Sequence, residues 1–240
     1  MKKILLTMVL CAGVLFAQAQ LIKSDFLAGY GIGENLEKGA YANTTQGSGT
    51  PIMLNQWNLS GKTGTNDTGG SNPQTTLALN YGGYAASGQD VAIALAKLES
   101  GGRTSIYSLA SDYTYGAGTY YIAFMTKVTA ASPTTIHEYF ALDGNYTGNA
   151  QRVRLAVKKP NEEATTFGFG LGGSSSSPSS VSGTFNFGET YLMAFKVVLT
   201  EDPENPGVGD GTGTATLYIN PDPAAGEPTS SFATVAIEGT

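Results

Sequence analysis

Between Thr190 and Thr200 the chain reads T-Y-L-M-A-F-K-V-V-L-T, with apolar residues on both sides of a period-two pattern. Tyr191, Met193, Phe195, Val197 and Leu199 share one side, and Leu192, Ala194, Lys196 and Val198 share the other. A segment apolar on both faces predicts a strand in the middle of a sheet. Lys196 is its odd member. A buried, unpaired ammonium is costly, so this side chain is expected to reach an open face or meet an acid.

The same period recurs along the chain. Thr119–Val128 places Tyr120, Ile122, Phe124 and Val128 on one face, and Gln151–Lys158 sets Val153, Leu155 and Val157 against Arg152, Arg154 and Lys158. Thr165–Leu171 alternates Phe167, Phe169 and Leu171 with Gly168 and Gly170, where another backbone or ring can approach closely. Further strands are predicted over Ile52–Leu59, Thr75–Leu79, Arg103–Ser108, Ile136–Leu142, Thr214–Ile219 and Phe232–Ile237, with a strand-like start at Leu21–Ala28. Val91–Leu98 fits either period and is read as a strand because its neighbours are strands. Gly61–Pro73 and Gly172–Gly183 are rich in turn residues and predict loops, Glu201–Gly213 predicts a hairpin connection into Thr214–Ile219, and Asn220–Pro228 a proline-rich crossing. About a dozen short strands without a convincing helix predict an all-β, two-sheet antiparallel sandwich or barrel.

The first residues change where that fold is placed. Lys2 and Lys3 precede an apolar run that ends in Ala17-Gln18-Ala19, the pattern of a secretory signal peptide over residues 1–19. Residues 20–240 then form one domain, secreted or at the cell surface after cleavage near Ala19. No segment reaches the roughly 20 apolar residues of a spanning helix. Cys11 is the single cysteine and lies inside the leader behind Leu10, which does not suit lipid attachment. The mature chain is therefore expected to be held by its core, without disulfides. Net charge is −6, and −8 once Lys2 and Lys3 leave with the leader. An acidic surface repels phosphate backbones, so nucleic acid is not an expected partner. Charged residues make up only 13% of the chain, against 32 glycines and 13 tyrosines, a balance suited to a turn-rich extracellular β-protein.

Several segments, in order, carry a resemblance. They are Leu79-Asn80-Tyr81-Gly82-Gly83-Tyr84 with Ser87-Gly88, Gly118-Thr119-Tyr120-Tyr121-Ile122-Ala123-Phe124, and Arg152-Val153-Arg154-Leu155-Ala156-Val157-Lys158-Lys159. Phe167-Gly168-Phe169-Gly170, Tyr191-Leu192 with Phe195-Lys196, and Leu217-Tyr218-Ile219-Asn220-Pro221 continue it. Together they resemble the laminin-G or concanavalin-like β-sandwich of exported and surface proteins of Bacteroidetes. The resemblance implies a jelly roll of two curved sheets, often one module of a longer multidomain protein. Members run on past the last strand seen here, so stopping at Thr240 leaves open a sandwich that lacks its C-terminal strands.

Candidate chemistry is sparse. His137 is the sole histidine and has no second histidine for a zinc motif, so it reads as a half-exposed strand residue. Retaining glycoside hydrolysis needs two carboxyls roughly 5 Å apart, and no Glu-x-Asp-x-x-Glu run supplies them. Glu138 and Asp143 would fall on opposite faces of a regular strand. Calcium is the ion such a fold would take, with Asp202, Glu204 and Asp210 as candidate donors. Pro206 replaces an oxygen donor there, which favours a solvated hairpin, and no cofactor is expected. Tyr113, Tyr115, Asn145, Tyr146 and Asn149 lie in loop-like stretches and suit sugar binding, a ring stacking on a pyranose while amides meet its hydroxyls. Tyrosine is also a good strand and turn residue, and the structural reading of these positions is preferred.

The expectation is a non-catalytic exported or cell-surface module that binds polysaccharide or another surface partner. A structural spacer without a ligand of its own is the alternative. A polysaccharide hydrolase or lyase comes behind both, because fold alone does not imply activity.

Overall fold

A computed structural model describes residues 31–33, 56–60, 74–84, 88, 91–95, 104–108, 116–143, 151–173 and 178–238. The leader and the segment Leu21–Ala28 lie outside the described residues. Among those described, every regular element is a strand: β1 Gln56–Ser60, β2 Gln74–Leu77, β3 Val91–Ala94, β4 Thr104–Ser108, β5 Gly118–Lys127 and β6 His137–Asp143. Next come β7 Gln151–Lys158, β8 Thr166–Gly173, β9 Ser182–Asn186, β10 Thr190–Asp202, β11 Asn205–Ile219 and β12 Ala233–Ile237. All pair antiparallel. One four-stranded sheet runs β12-β11-β10-β5 and a second runs β6-β7-β8-β9, while β1 with β4 and β2 with β3 make two short ribbons.

The two larger sheets close on one apolar core, which is the predicted sandwich. Val153, Leu155, Val157, Phe167 and Phe169 come from the second sheet, and Tyr191, Met193, Phe195, Val197, Ala215, Leu217 and Ile237 from the first. Rings interlock across the layer: Phe140 lies 4.4 Å from Phe124 and 5.8 Å from Phe195, and Tyr191 meets Phe169 edge-on at 5.9 Å. Such contacts add about 0.5–1.5 kcal/mol per pair beyond burial. β10 is the central strand its two-faced pattern predicts, held by β11 on one side and β5 on the other.

The glycines of β8 also behave as their pattern predicts. A Cβ on Gly170 would lie 2.5 Å from the Ser180 carbonyl oxygen, and one on Gly168 would lie 2.9 Å from that of Ser182. The chain at 178–182 thus lies directly on the outer side of β8; its Pro178 is buried, as is Ala156, the β7 partner of Gly170.

Three expectations need correction. Gly172–Gly183 is not wholly loop, because β9 starts at Ser182. Its hydroxyl-rich sequence hides a strand whose ladder to β8 is broken by a register shift, and Phe185 is its apolar contribution to the core. Glu201–Gly213 is the predicted hairpin connection, but most of it is paired ladder rather than turn. β10 and β11 stay paired through Leu199↔Gly213, Glu201↔Gly209 and Asp202↔Asn205, leaving only Pro203 and Glu204 as the turn. Register shifts absorb the irregular residues, and Gly213, at φ 153°, sits where a Cβ would strike the Val198 carbonyl. The third correction concerns β6, which is not regular: its register shifts between Glu138 and Phe140 and again between Leu142 and Asp143. Simple alternation therefore does not assign Glu138 and Asp143 to opposite faces. The Glu138 carboxylate is in any case taken by Arg154 at 3.3 Å.

Candidate functional site

The alternation that turns Tyr120, Phe195, Leu217 and Val235 inward turns their neighbours outward, onto the open side of the first sheet. Register then aligns them. Tyr121 of β5 pairs with Lys196 of β10, Lys196 with Thr216 of β11, and Thr216 with Thr234 of β12. One row of side chains thus crosses all four strands. The adjacent row is Thr119, Val198, Thr214 and Ala236. Tyr121 is 62% exposed, and Thr119, Thr214 and Thr234 are exposed as well.

The segment between β11 and β12 folds back over part of this face as a strap. Asn220 starts it in the left-handed region at φ 53°, a conformation that asparagine tolerates better than most residues. Its backbone N–H donates to the Leu192 carbonyl at 2.8 Å, and its Oδ1 accepts from the Leu192 N–H at 2.9 Å. An Asp222 turn follows, in which Oδ1 accepts from the Ala224 N–H at 2.9 Å. The far end is tied by the Phe232 N–H donating to the Leu217 carbonyl at 2.8 Å. Tyr84 supports the neighbouring strand, donating its hydroxyl to the Ala123 carbonyl at 3.1 Å.

This strap carries Glu227 onto the row. Tyr121 donates its hydroxyl to Glu227 Oε2 at 2.6 Å, Lys196 Nζ donates to Oε1 at 2.7 Å, and the Tyr218 hydroxyl reaches Oε1 at 3.3 Å. Lys196 thereby gains the acid its position required. The bond from Lys196, and next that from Tyr121, holds the Glu227 carboxyl below its ordinary range. Bonding to Glu227 in turn raises the Lys196 ammonium and the Tyr121 phenol. The carboxyl is thus moved down and the ammonium and phenol up, as expected for an acid bonded to a cation and a hydroxyl. What the array offers is a tethered ring, a satisfied ion pair and a neighbouring pair of threonine hydroxyls.

Tyr113, Tyr115, Asn145, Tyr146 and Asn149 lie outside the described residues. His137 opens β6 opposite Val157 and is half-buried. Of the calcium candidates, Asp202 uses both carboxylate oxygens within its own turn. Oδ1 accepts from the Glu204 N–H and Oδ2 from Asn205 Nδ2, each at 2.8 Å. The Asn205 bond, with the Glu204 bond second, holds Asp202 below its ordinary range. Glu204 is exposed in the turn, and Asp210 is a residue of β11. Among the described residues no three acidic, histidine or cysteine side chains gather as a metal site.

The sequence reading marked Lys196 but missed Tyr121, Thr216, Tyr218, Thr234 and Glu227. Outward alternation in each strand could have flagged the first four. Glu227 had no local signal, since its link to Lys196 spans 31 residues. No family model, curated protein or solved structure matches the chain.

Proposed function

We propose that this chain is a non-catalytic exported or cell-surface module that binds glycan. Support for export comes from the leader-like residues 1–19. Among the described residues no helix is long and apolar enough to cross a membrane. The observation that carries the binding reading is the Tyr121–Lys196–Glu227 array, an exposed ring fixed in place beside hydroxyls.

The test is calorimetric titration of residues 20–240 against a broad panel of neutral and acidic polysaccharides, with calcium and with chelator. Saturable heat with any of them supports the reading, and its absence with all of them rejects it. A signal lost in chelator would bring calcium into the site.

A further inference from the structure

We infer that the open face of the β12-β11-β10-β5 sheet binds a neutral polysaccharide, lying across the strands along the row Tyr121, Lys196, Thr216 and Thr234. This rests on the glycan-binding reading above and names the site and ligand class within it.

Three features of the row point to that occupant. The first is the ring. Tyr121 is 62% exposed, yet its hydroxyl is held by Glu227 at 2.6 Å, so its motion is restricted before anything binds. A pre-ordered aromatic loses little entropy on stacking, which suits the apolar face of a pyranose. The second is the hydroxyls. Thr216 and Thr234 lie 3.2 Å apart through their Oγ1 atoms, and Thr119 and Thr214 stand in the next row. Each hydroxyl can donate and accept, as sugar hydroxyls do. Neighbouring strands are about 4.8 Å apart, so the row is about 14 Å long, enough for several sugar units in line.

The third feature is charge. The cation of the row is already paired, Lys196 with Glu227 at 2.7 Å, and the chain as a whole is acidic at −6. A polyanion would meet no free cation in this row and a repelling field, whereas a neutral chain pays neither cost. A protein partner fits less well, because stable interfaces centre on a buried apolar cluster. In these two rows, among the described residues, Tyr121 is the one large exposed hydrophobic side chain, and Val198 beside it is half-buried.

The experiment is affinity electrophoresis of residues 20–240 through gels containing mixed-linkage β-glucan, mannan, xylan or soluble starch, with alginate and polygalacturonate in parallel. Tyr121→Ala, Tyr121→Phe and Thr234→Arg are run beside the wild type, with thermal unfolding as a check on folding. The wild type should be retarded by at least one neutral polymer. Tyr121→Ala should weaken that binding roughly tenfold or more, Tyr121→Phe less because it keeps the ring, and Thr234→Arg should block the row from its far end.

Neutral binding unchanged in both Tyr121→Ala and Thr234→Arg overturns the site while leaving the glycan reading intact. Retardation by alginate or polygalacturonate alone overturns the neutral class, again leaving that reading. No retardation of the wild type by any polymer removes both. Should Tyr121→Ala fail to fold, Thr234→Arg decides the outcome, because its side chain points to solvent on β12.

Discussion

The two sheets of the sandwich present opposite kinds of outer surface. On the β6-β7-β8-β9 sheet the small residues Gly168, Gly170 and Ala156 let the chain at 178–182 lie down on the strands, and that surface is closed by backbone. On the β12-β11-β10-β5 sheet the equivalent positions carry Tyr121, Lys196 and Thr216. Among the described residues the chain crosses there as a strap, held by side chains at Glu227 and Asn220 and by backbone bonds at its two ends. Side-chain size decides which face the protein covers itself and which it leaves for others. A glycine removes the steric barrier to close approach, whereas a large polar side chain keeps the face open and supplies it with donors and acceptors.

Adding bulk to the closed face is the strongest way to break this contrast. Gly170→Val places a branched side chain where a Cβ already lies 2.5 Å from the Ser180 carbonyl oxygen and 3.0 Å from Pro178 Cβ. Overpacking of this kind should cost about 2–3 kcal/mol, or about 5–10 °C in the melting temperature. A calorimetric scan would read it. An unchanged melting temperature would mean that the 178–182 segment does not lie on β8 as described.

Releasing the strap comes next. Asn220→Ala removes the Oδ1 that accepts from the Leu192 N–H and puts a less tolerant residue at φ 53°. A loss of about 1–2 kcal/mol is expected by chemical denaturation. Asn220→Gly, which relieves the backbone but not the lost bond, should recover part of it.

The smallest effect should come from pH on the strap's ion pair. Glu227 titrates below its ordinary 4.5, so its contribution is present above that pH and is lost as pH falls through the depressed folded value. Lys196 titrates above its ordinary 10.5, so its contribution is present below that pH and disappears as pH rises through the raised folded value. The stability difference between wild type and Glu227→Gln should be flat between those limits and vanish in acid. A difference that persists at pH 2 would mean that Glu227 acts through packing rather than charge.

How far these surfaces could be read in advance follows from the range of the interactions involved. The core of β7, β8 and β10 was legible because alternation is local and each strand carries its own pattern, as Val153, Phe169 and Phe195 do. Gly168 and Gly170 were legible as sites of close approach for the same reason, though not what would approach them. β9 was hidden by hydroxyl-bearing residues and a broken ladder. The hairpin at Glu201–Gly213 was legible from its turn residues, but not how far its ladder runs, because its Pro and Gly residues resemble a loop while in the fold the register shifts absorb them. The Tyr121–Lys196–Glu227 array joins three segments distant in sequence, and only pairing brings them together. Lys196 gave the one hint, as a charge on a central strand in need of a partner.

The pairing of β5 with β10 sets an order of events in time. These strands are hydrogen-bonded neighbours, yet all of β6, β7, β8 and β9 lies between them in the chain. The β6–β9 meander can form from successive local contacts, whereas β5 must wait for a strand made much later, with the larger loop-closure cost falling on that step. Until β10 arrives, Ile122 and Phe124 lack their cross-strand partners Phe195 and Met193, so the growing chain carries an incomplete core as a period of exposure to aggregation. Pulsed hydrogen exchange during refolding should find amides of β7 and β8 protected before those of β5. The reverse order would mean that the long-range pair nucleates the fold.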